Sequence, residues 1–272
     1  MDPIELRLPH TLQRPQATSN HEPITHSTEP IVTGTSVVAF KYKDGIMMAA
    51  DCLGSYGRMA MFRNERRLMA VGKTTLLGMS GDISDYQHMQ HTLENIMTQE
   101  YDMDDGQRLG TKSIYKCISK IMYNRRSKMN PLWNSYVIAG VDSGEKVLGY
   151  VDLIGTTYES PTIATGYGSH MAQPILRKVV EGREDEITEE EAVKIIEDCM
   201  RVLYYRDARA FNKLTRAKVT AQGLRSRSHI RWKPTGTLLS PLLDMVPEFV
   251  ILAQPASFLF LFFLQQLLLA TN

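Results

Sequence analysis

From Thr33 onward, short apolar runs alternate with tight-turn residues. Thr35-Ser36-Val37-Val38-Ala39-Phe40-Lys41-Tyr42 predicts a strand, Lys43-Asp44-Gly45 a hairpin turn, and Ile46 to Ala50 the returning strand. Arg67 to Val71, the turn at Gly72-Lys73 and Thr75 to Met79 repeat the arrangement, so an antiparallel sheet is laid down early. The period then changes. Ile83, Tyr86, Met89, Leu93, Ile96 and Met97 recur three and four apart, which is one apolar face of a helix, and Asp82 stands where its N-cap belongs. A second helix is predicted from Thr111 to Asn124, with Ile114, Tyr115, Ile118, Ile121 and Met122 on one side. Strands Ser135 to Val141 and Lys146 to Leu153 follow, joined at Asp142-Ser143-Gly144. A third helix covers Gly168 to Val180, with Pro174 inside it as a potential kink. The fourth has the clearest start: Thr188 and Glu191 have capping-box spacing behind Ile187, and Ala192, Ile195, Ile196, Cys199, Val202 and Leu203 form its buried stripe. A strand near Leu214 to Thr220 closes the readable pattern. The order predicts an α/β (α+β) chain in which helices cover both outer faces of two stacked sheets, a four-layer α/β/β/α sandwich.

The two ends lie outside this pattern. Residues 1–32 are polar and punctuated by Pro3, Pro9, Pro15, Pro23 and Pro30, and read as a disordered arm or a removable pro-segment. Residues 33–223 form the folded domain, and residues 224–272 an atypical tail. A length of 272 residues suits one domain with tails, and 43% hydrophobic with 22% charged residues is ordinary globular composition. A formal net charge of +1 leaves no electrostatic footprint for nucleic acid. Cys52, Cys117 and Cys199 are odd in number and have no CxxC spacing, which argues against a disulfide framework or a zinc site and fits a reducing compartment. No metal or cofactor is expected. The first residues lack the apolar core of a secretory signal.

Several segments together resemble one family. Thr33-Gly34-Thr35-Ser36-Val37, Ala49-Ala50-Asp51, Ser80-Gly81-Asp82, Ala164-Thr165-Gly166-Tyr167-Gly168 and Tyr205-Arg206-Asp207-Ala208-Arg209 fall in the order and at the spacing of a beta subunit of the 20S proteasome. The strings Arg125 to Asn134 and Val202 to Arg209 are similar to the seventh, non-catalytic type of beta subunit. The likeness runs from about Pro30 to Gly223. It implies the N-terminal nucleophile hydrolase type of α/β/β/α sandwich. It also implies a place in a four-ring complex with other beta and alpha subunits, located in cytoplasm and nucleus and degrading ubiquitin-marked proteins.

Working members of that family free a threonine by cleavage after glycine, and the new amine activates the hydroxyl. By the resemblance, Thr35 falls at the nucleophile behind Gly34, Asp51 at the aspartate that holds a lysine, Gly81 at the oxyanion glycine and Asp207 at the second aspartate. The lysine position is Arg67. A guanidinium stays protonated at any working pH and cannot join a proton relay. The two serine positions are Tyr167 and Ala210. No catalytic role is therefore expected, and the survivors are read as structural: Asp51 pairs with Arg67, and Asp207 with Arg66 or Arg206. The rival reading is an active threonine endopeptidase using Thr35. If Thr35 is not freed, the resemblance puts the mature start near Ser27, trimmed by an active neighbour. Arg125, Arg126, Lys128, Pro131, Leu132 and Trp133 read either as an interface segment with an apolar knob or as a loop packed on its own domain.

After Gly223 the resemblance stops. Phe249 to Ala253 and Ala256 to Leu264 are near-continuous apolar runs split by Pro255. The span from Phe249 to Ala270 approaches the ~20 residues that cross a bilayer. Pro255, its glutamines and the missing flanking positive charges argue instead for a non-native or isoform-specific end.

Overall fold

The computed structural model describes residues 29–231 except 107 and 143. In chain order the elements are β1 (Val32–Gly34), β2 (Val37–Tyr42), β3 (Gly45–Asp51), β4 (Gly54–Tyr56), β5 (Met59–Phe62), β6 (Leu68–Val71), β7 (Thr75–Asp82), α1 (Ile83–Met103), α2 (Thr111–Ser127), β8 (Asn134–Asp142), β9 (Glu145–Val151), β10 (Thr157–Glu159), β11 (Thr162–Ala164), α3 (Gly168–Val180), α4 (Glu189–Arg206), β12 (Lys213–Thr220) and β13 (Gly223–Arg231).

The strands form two antiparallel sheets. The larger runs β10-β9-β8-β7-β1-β4-β5, with β6 also paired to β7, and the smaller runs β11-β2-β3-β12-β13. Side-chain alternation sorts the strands' residues into three buried layers. Val38, Phe40 and Tyr42 of β2 pack with Leu176, Ile196 and Cys199 beneath α3 and α4. Their neighbours Val37 and Ala39 point the other way and meet Leu76, Val137 and Ala139 between the sheets. On the far side Leu77, Met79, Tyr136 and Ile138 pack with Met89, Ile114 and Ile118 of α1 and α2. Both faces of the central strands are buried, so they read as unbroken apolar runs rather than alternating ones. This is the four-layer α/β/β/α sandwich.

Two of the helices, α1 and α4, start at capping side chains. The Asp82 carboxylate accepts from the N–H groups of Ser84 and Asp85, and the Thr188 hydroxyl accepts from Glu191 N–H. α3 runs through Pro174 without interruption, and the carbonyl that the proline leaves free belongs to His170, an exposed residue.

Two departures from the predicted pattern matter. The strand expected to begin at Thr35 is two strands in different sheets: β1 ends at Gly34 in the larger sheet, β2 begins at Val37 in the smaller, and Thr35-Ser36 is the crossing. At the other end, β13 carries the smaller sheet beyond the expected domain edge at Gly223, pairing with β12 from Thr220↔Gly223 to Lys213↔Arg231. The proposed processing point at Ser27 and the apolar runs of the tail lie outside the described residues. Among the described residues no helix is long and apolar enough to cross a membrane, and no group of His, Cys, Asp or Glu side chains could hold a metal ion.

Candidate functional site

Where the chain crosses between sheets, the ends of several elements converge. β1 lies between β7 and β4, with Thr33 opposite Asp82 and Gly34 opposite Gly81 on one side, and Val32 opposite Tyr56 and Thr33 opposite Ser55 on the other. Arg67, just ahead of β6, reaches inward and is 1% exposed. Its Nε donates to Asp51 O at 3.0 Å. One terminal nitrogen donates to Thr35 O at 2.8 Å and Met79 O at 3.0 Å. The other donates to Ser36 O at 3.0 Å and to the Asp51 carboxylate. A guanidinium has five N–H groups, and all five are taken. The Asp51–Arg67 ion pair expected from the sequence is thus formed, and it is fully buried.

Asp51 feels two opposed influences. Burial pushes its carboxyl up, the Arg67 charge and hydrogen bond pull it down, and the balance leaves it raised to about 6. Its second oxygen accepts from Phe211 N–H at 3.2 Å.

Thr35 Oγ1 donates to Asp207 Oδ2 and lies 3.4 Å from Ser36 Oγ. Ser36 Oγ accepts from Gly168 N–H at 2.8 Å, at the start of α3. Asp207 does not pair with Arg66 or Arg206 among the described residues, which corrects the expected ion pairs. It ends α4 in an extended conformation, where one carboxylate oxygen takes the Thr35 hydroxyl and the other takes Arg209 N–H at 2.9 Å. Arg206, still within the last turn of α4, is exposed.

Gly81 has φ +107, and a Cβ there would fall 2.0 Å from Trp133 O, so the backbone at this position admits only glycine. Tyr167 stands ahead of α3 and is 41% exposed. Ala210 donates its N–H to Asp207 O. It brings no hydroxyl to the cluster. The structure therefore gathers Thr35, Asp51, Arg67, Gly81, Asp207, Tyr167 and Ala210 around one crossing point. The Ser36 hydroxyl and its link to Gly168 were not foreseen. Both residues stand in segments that the sequence picks out, but the bond between them spans most of the domain.

The segment Arg125 to Trp133 is only partly a surface feature. Leu132 is 1% exposed and belongs to the core beneath α1 and α2, which removes it from the proposed apolar knob. The loop is stapled to itself, Arg125 Nε donating to Asn130 O and Asn130 N–H to Arg125 O. Trp133 N–H is held by Asp85. Arg126 lies over the Tyr123 ring, while Lys128 is exposed, Pro131 is half-buried and Trp133 is 37% exposed.

Two sheets packed face to face between helix pairs, with a threonine at the crossing from one sheet to the other, define the N-terminal nucleophile type of sandwich. The chain belongs to the proteasome subunit family, whose pattern, described as "Proteasome subunit", it matches over residues 31–219. Among its relatives, the proteasome subunit beta type-4 of Xenopus laevis is 48% identical over 202 residues, covering 74% of this chain and 83% of that one. The beta type-4 subunit of Arabidopsis thaliana is 49% identical over 195 residues, covering 72% and 78%. The beta type-7 subunit of Saccharomyces cerevisiae is 48% identical, covering 71% and 76%. These place the chain among the beta subunits. The family match ends inside β12, before β13 begins.

Proposed function

We propose that this chain is a non-catalytic beta subunit of the proteasome core, contributing to the chamber wall and to ring assembly rather than to peptide-bond hydrolysis. The observation that carries the reading is Arg67. A threonine hydrolase of this fold needs a basic group that can exchange a proton beside the nucleophile. Here that position holds a permanently charged guanidinium whose every N–H is bound to a carbonyl or to Asp51. Thr35 instead donates its hydroxyl hydrogen bond to Asp207, and Tyr167 and Ala210 supply no serine. The relatives' names, proteasome subunits of beta type-4 and beta type-7, support a role beside other proteasome subunits. We extend this to a four-ring complex of alpha and beta chains in cytoplasm and nucleus.

The test is made on the native complex that contains this subunit. Treatment with an epoxyketone directed at N-terminal threonine should label the catalytic neighbours and leave Thr35 unmodified, and the intact mass of this subunit should begin upstream of Thr35, near Ser27. A labelled Thr35 would establish the rival endopeptidase reading. Depletion of the subunit should lower the yield of fully assembled complex while half-assembled particles accumulate; unchanged assembly would remove the ring-building role.

A further inference from the structure

Gly34-Thr35 has the look of a cleavage junction, and a glycine ahead of the threonine invites that reading. The structure supplies a different reason for the glycine. A Cβ built on Gly34 would fall 2.3 Å from Arg67 Cδ and 3.1 Å from Arg67 Nε. The Arg67 stem fills the space that any side chain at position 34 would need. Immediately beyond, the same guanidinium binds the carbonyls of Thr35 and Ser36, and it is anchored behind by Asp51 and by Met79 O of β7. β1 is three residues long and is held by short stretches of pairing with β4 and β7. Its further ties are upstream, where Ile31 N–H donates to Asp82 Oδ1 at 3.0 Å, and at Thr33, whose hydroxyl accepts from Arg209 at 3.5 Å.

We infer that Arg67 is a fastening residue: it pins the downstream end of β1 between β4 and β7, so that the chain stays continuous across the Gly34–Thr35 peptide and strand-paired up to Gly34, and Gly34 is glycine to admit the Arg67 stem. The inference rests on the reading that Thr35 is not freed, and it adds how the uncut strand is held. The peptide that would have to open follows Gly34, the last paired residue of β1, opposite Gly81, and the next carbonyl is capped by a buried charge. β1 thereby acts as a built-in strap across the remnant site. Arg67 is its buckle. A short strand opens locally at low cost unless something beyond its ladder retains it, and buried charge-assisted bonds to backbone carbonyls are strong enough to do so.

Hydrogen exchange on the assembled complex, read together with intact mass, tests this. Wild-type amides from Val32 to Ser36 should exchange slowly. In Arg67→Lys the charge remains but the fork of donors is lost, and exchange over Val32 to Ser36 should rise roughly tenfold to a hundredfold while Leu76 to Met79 at the centre of β7 is unchanged. Gly34→Ala keeps Arg67 and pushes its stem aside, so the same local rise is expected without any change of charge. This variant also decides the matter if Arg67→Lys fails to assemble. Unchanged exchange over Val32 to Ser36 in an assembled Gly34→Ala complex would overturn the fastening role. A uniform rise across the whole domain would also overturn it, because that marks general destabilisation rather than a released strap. A wild-type subunit whose mass begins at Thr35 would instead sink the non-catalytic reading, so the two failures are told apart by which protein deviates.

Discussion

At the scale of single residues, Arg67 and Asp51 dominate. Neither tolerates loss of the other, since removing one partner of a buried ion pair leaves an uncompensated charge at a cost of about 3–5 kcal/mol. Arg67→Met should therefore lower the unfolding midpoint of the chain strongly. The loss should also depend on pH. Without Arg67, the two larger influences that pull the Asp51 carboxyl down disappear, only the Phe211 N–H bond remains against burial and the Asp207 charge, and the carboxyl is pushed further up. A carboxyl whose folded pKa lies above its unfolded value takes up a proton on folding, so its stabilising contribution is present at low pH and lost as pH rises through the folded value. The deficit of Arg67→Met relative to wild type should widen between pH 5 and pH 8 in thermal melts, and a deficit that narrows would contradict this account. Tyr42 offers the opposite case. Its ring is buried against α4, its hydroxyl has no hydrogen-bond partner among the described residues, and burial pushes its pKa up to about 12. Tyr42→Phe removes a polar group that gains nothing from being inside, and should be neutral or stabilising by up to ~1 kcal/mol in urea unfolding.

At the scale of elements, Asp82 joins three pieces of chain. It caps α1 through Ser84 and Asp85 N–H and holds the entry to β1 through Ile31 N–H. Asp82→Ala should cost about 2 kcal/mol, roughly half from the lost cap and half from the orphaned amide, whereas Thr188→Ala, whose cap bond is long at 3.4 Å, should cost nearer 0.5 kcal/mol. Denaturant midpoints of the two variants compare them directly, and equal losses would show that Asp82 acts as a cap alone. These helix starts are visible in sequence because capping is a local matter of one side chain and the next three amides. The long strands are visible too, through runs such as Leu76 to Met79 and Val137 to Val141 that only a doubly buried strand needs. β1, β4, β5, β10 and β11 are not visible. Each has only three or four residues, too few for a period to emerge, and each exists because of a distant partner. The break at Thr35-Ser36 escapes for a related reason: the apolar pattern continues through it, and only the change of pairing partner reveals it. For the site, the sequence yields the residue types and their order. The Asp207 partner depends on where α4 stops being helical, and so the expected Arg66 or Arg206 pairing gave way to Thr35.

At the scale of the whole molecule, the two sheets are finished differently. The outer strand β5 ends the larger sheet with Met59, Met61 and Phe62 exposed and Tyr56 of β4 beside them, an apolar edge of the kind that a neighbouring protein covers in an assembly. Met59→Lys with Met61→Lys should leave the fold intact by circular dichroism, since neither side chain is buried, and unchanged self-association of the full chain in light scattering would show that this edge is not adhesive. The smaller sheet is finished by β13, which lies beyond the stretch matched to the family and yet pairs with β12 through most of its length. Strand pairing is made by main-chain amides and carbonyls, which every residue except proline carries in full, so the outermost strand of a sheet answers to far looser spelling than the strands it covers. That position in the fold is where a chain can exchange one ending for another and still close its sheet: the sandwich constrains how far the polypeptide must continue past Thr220, and says little about which words it continues with.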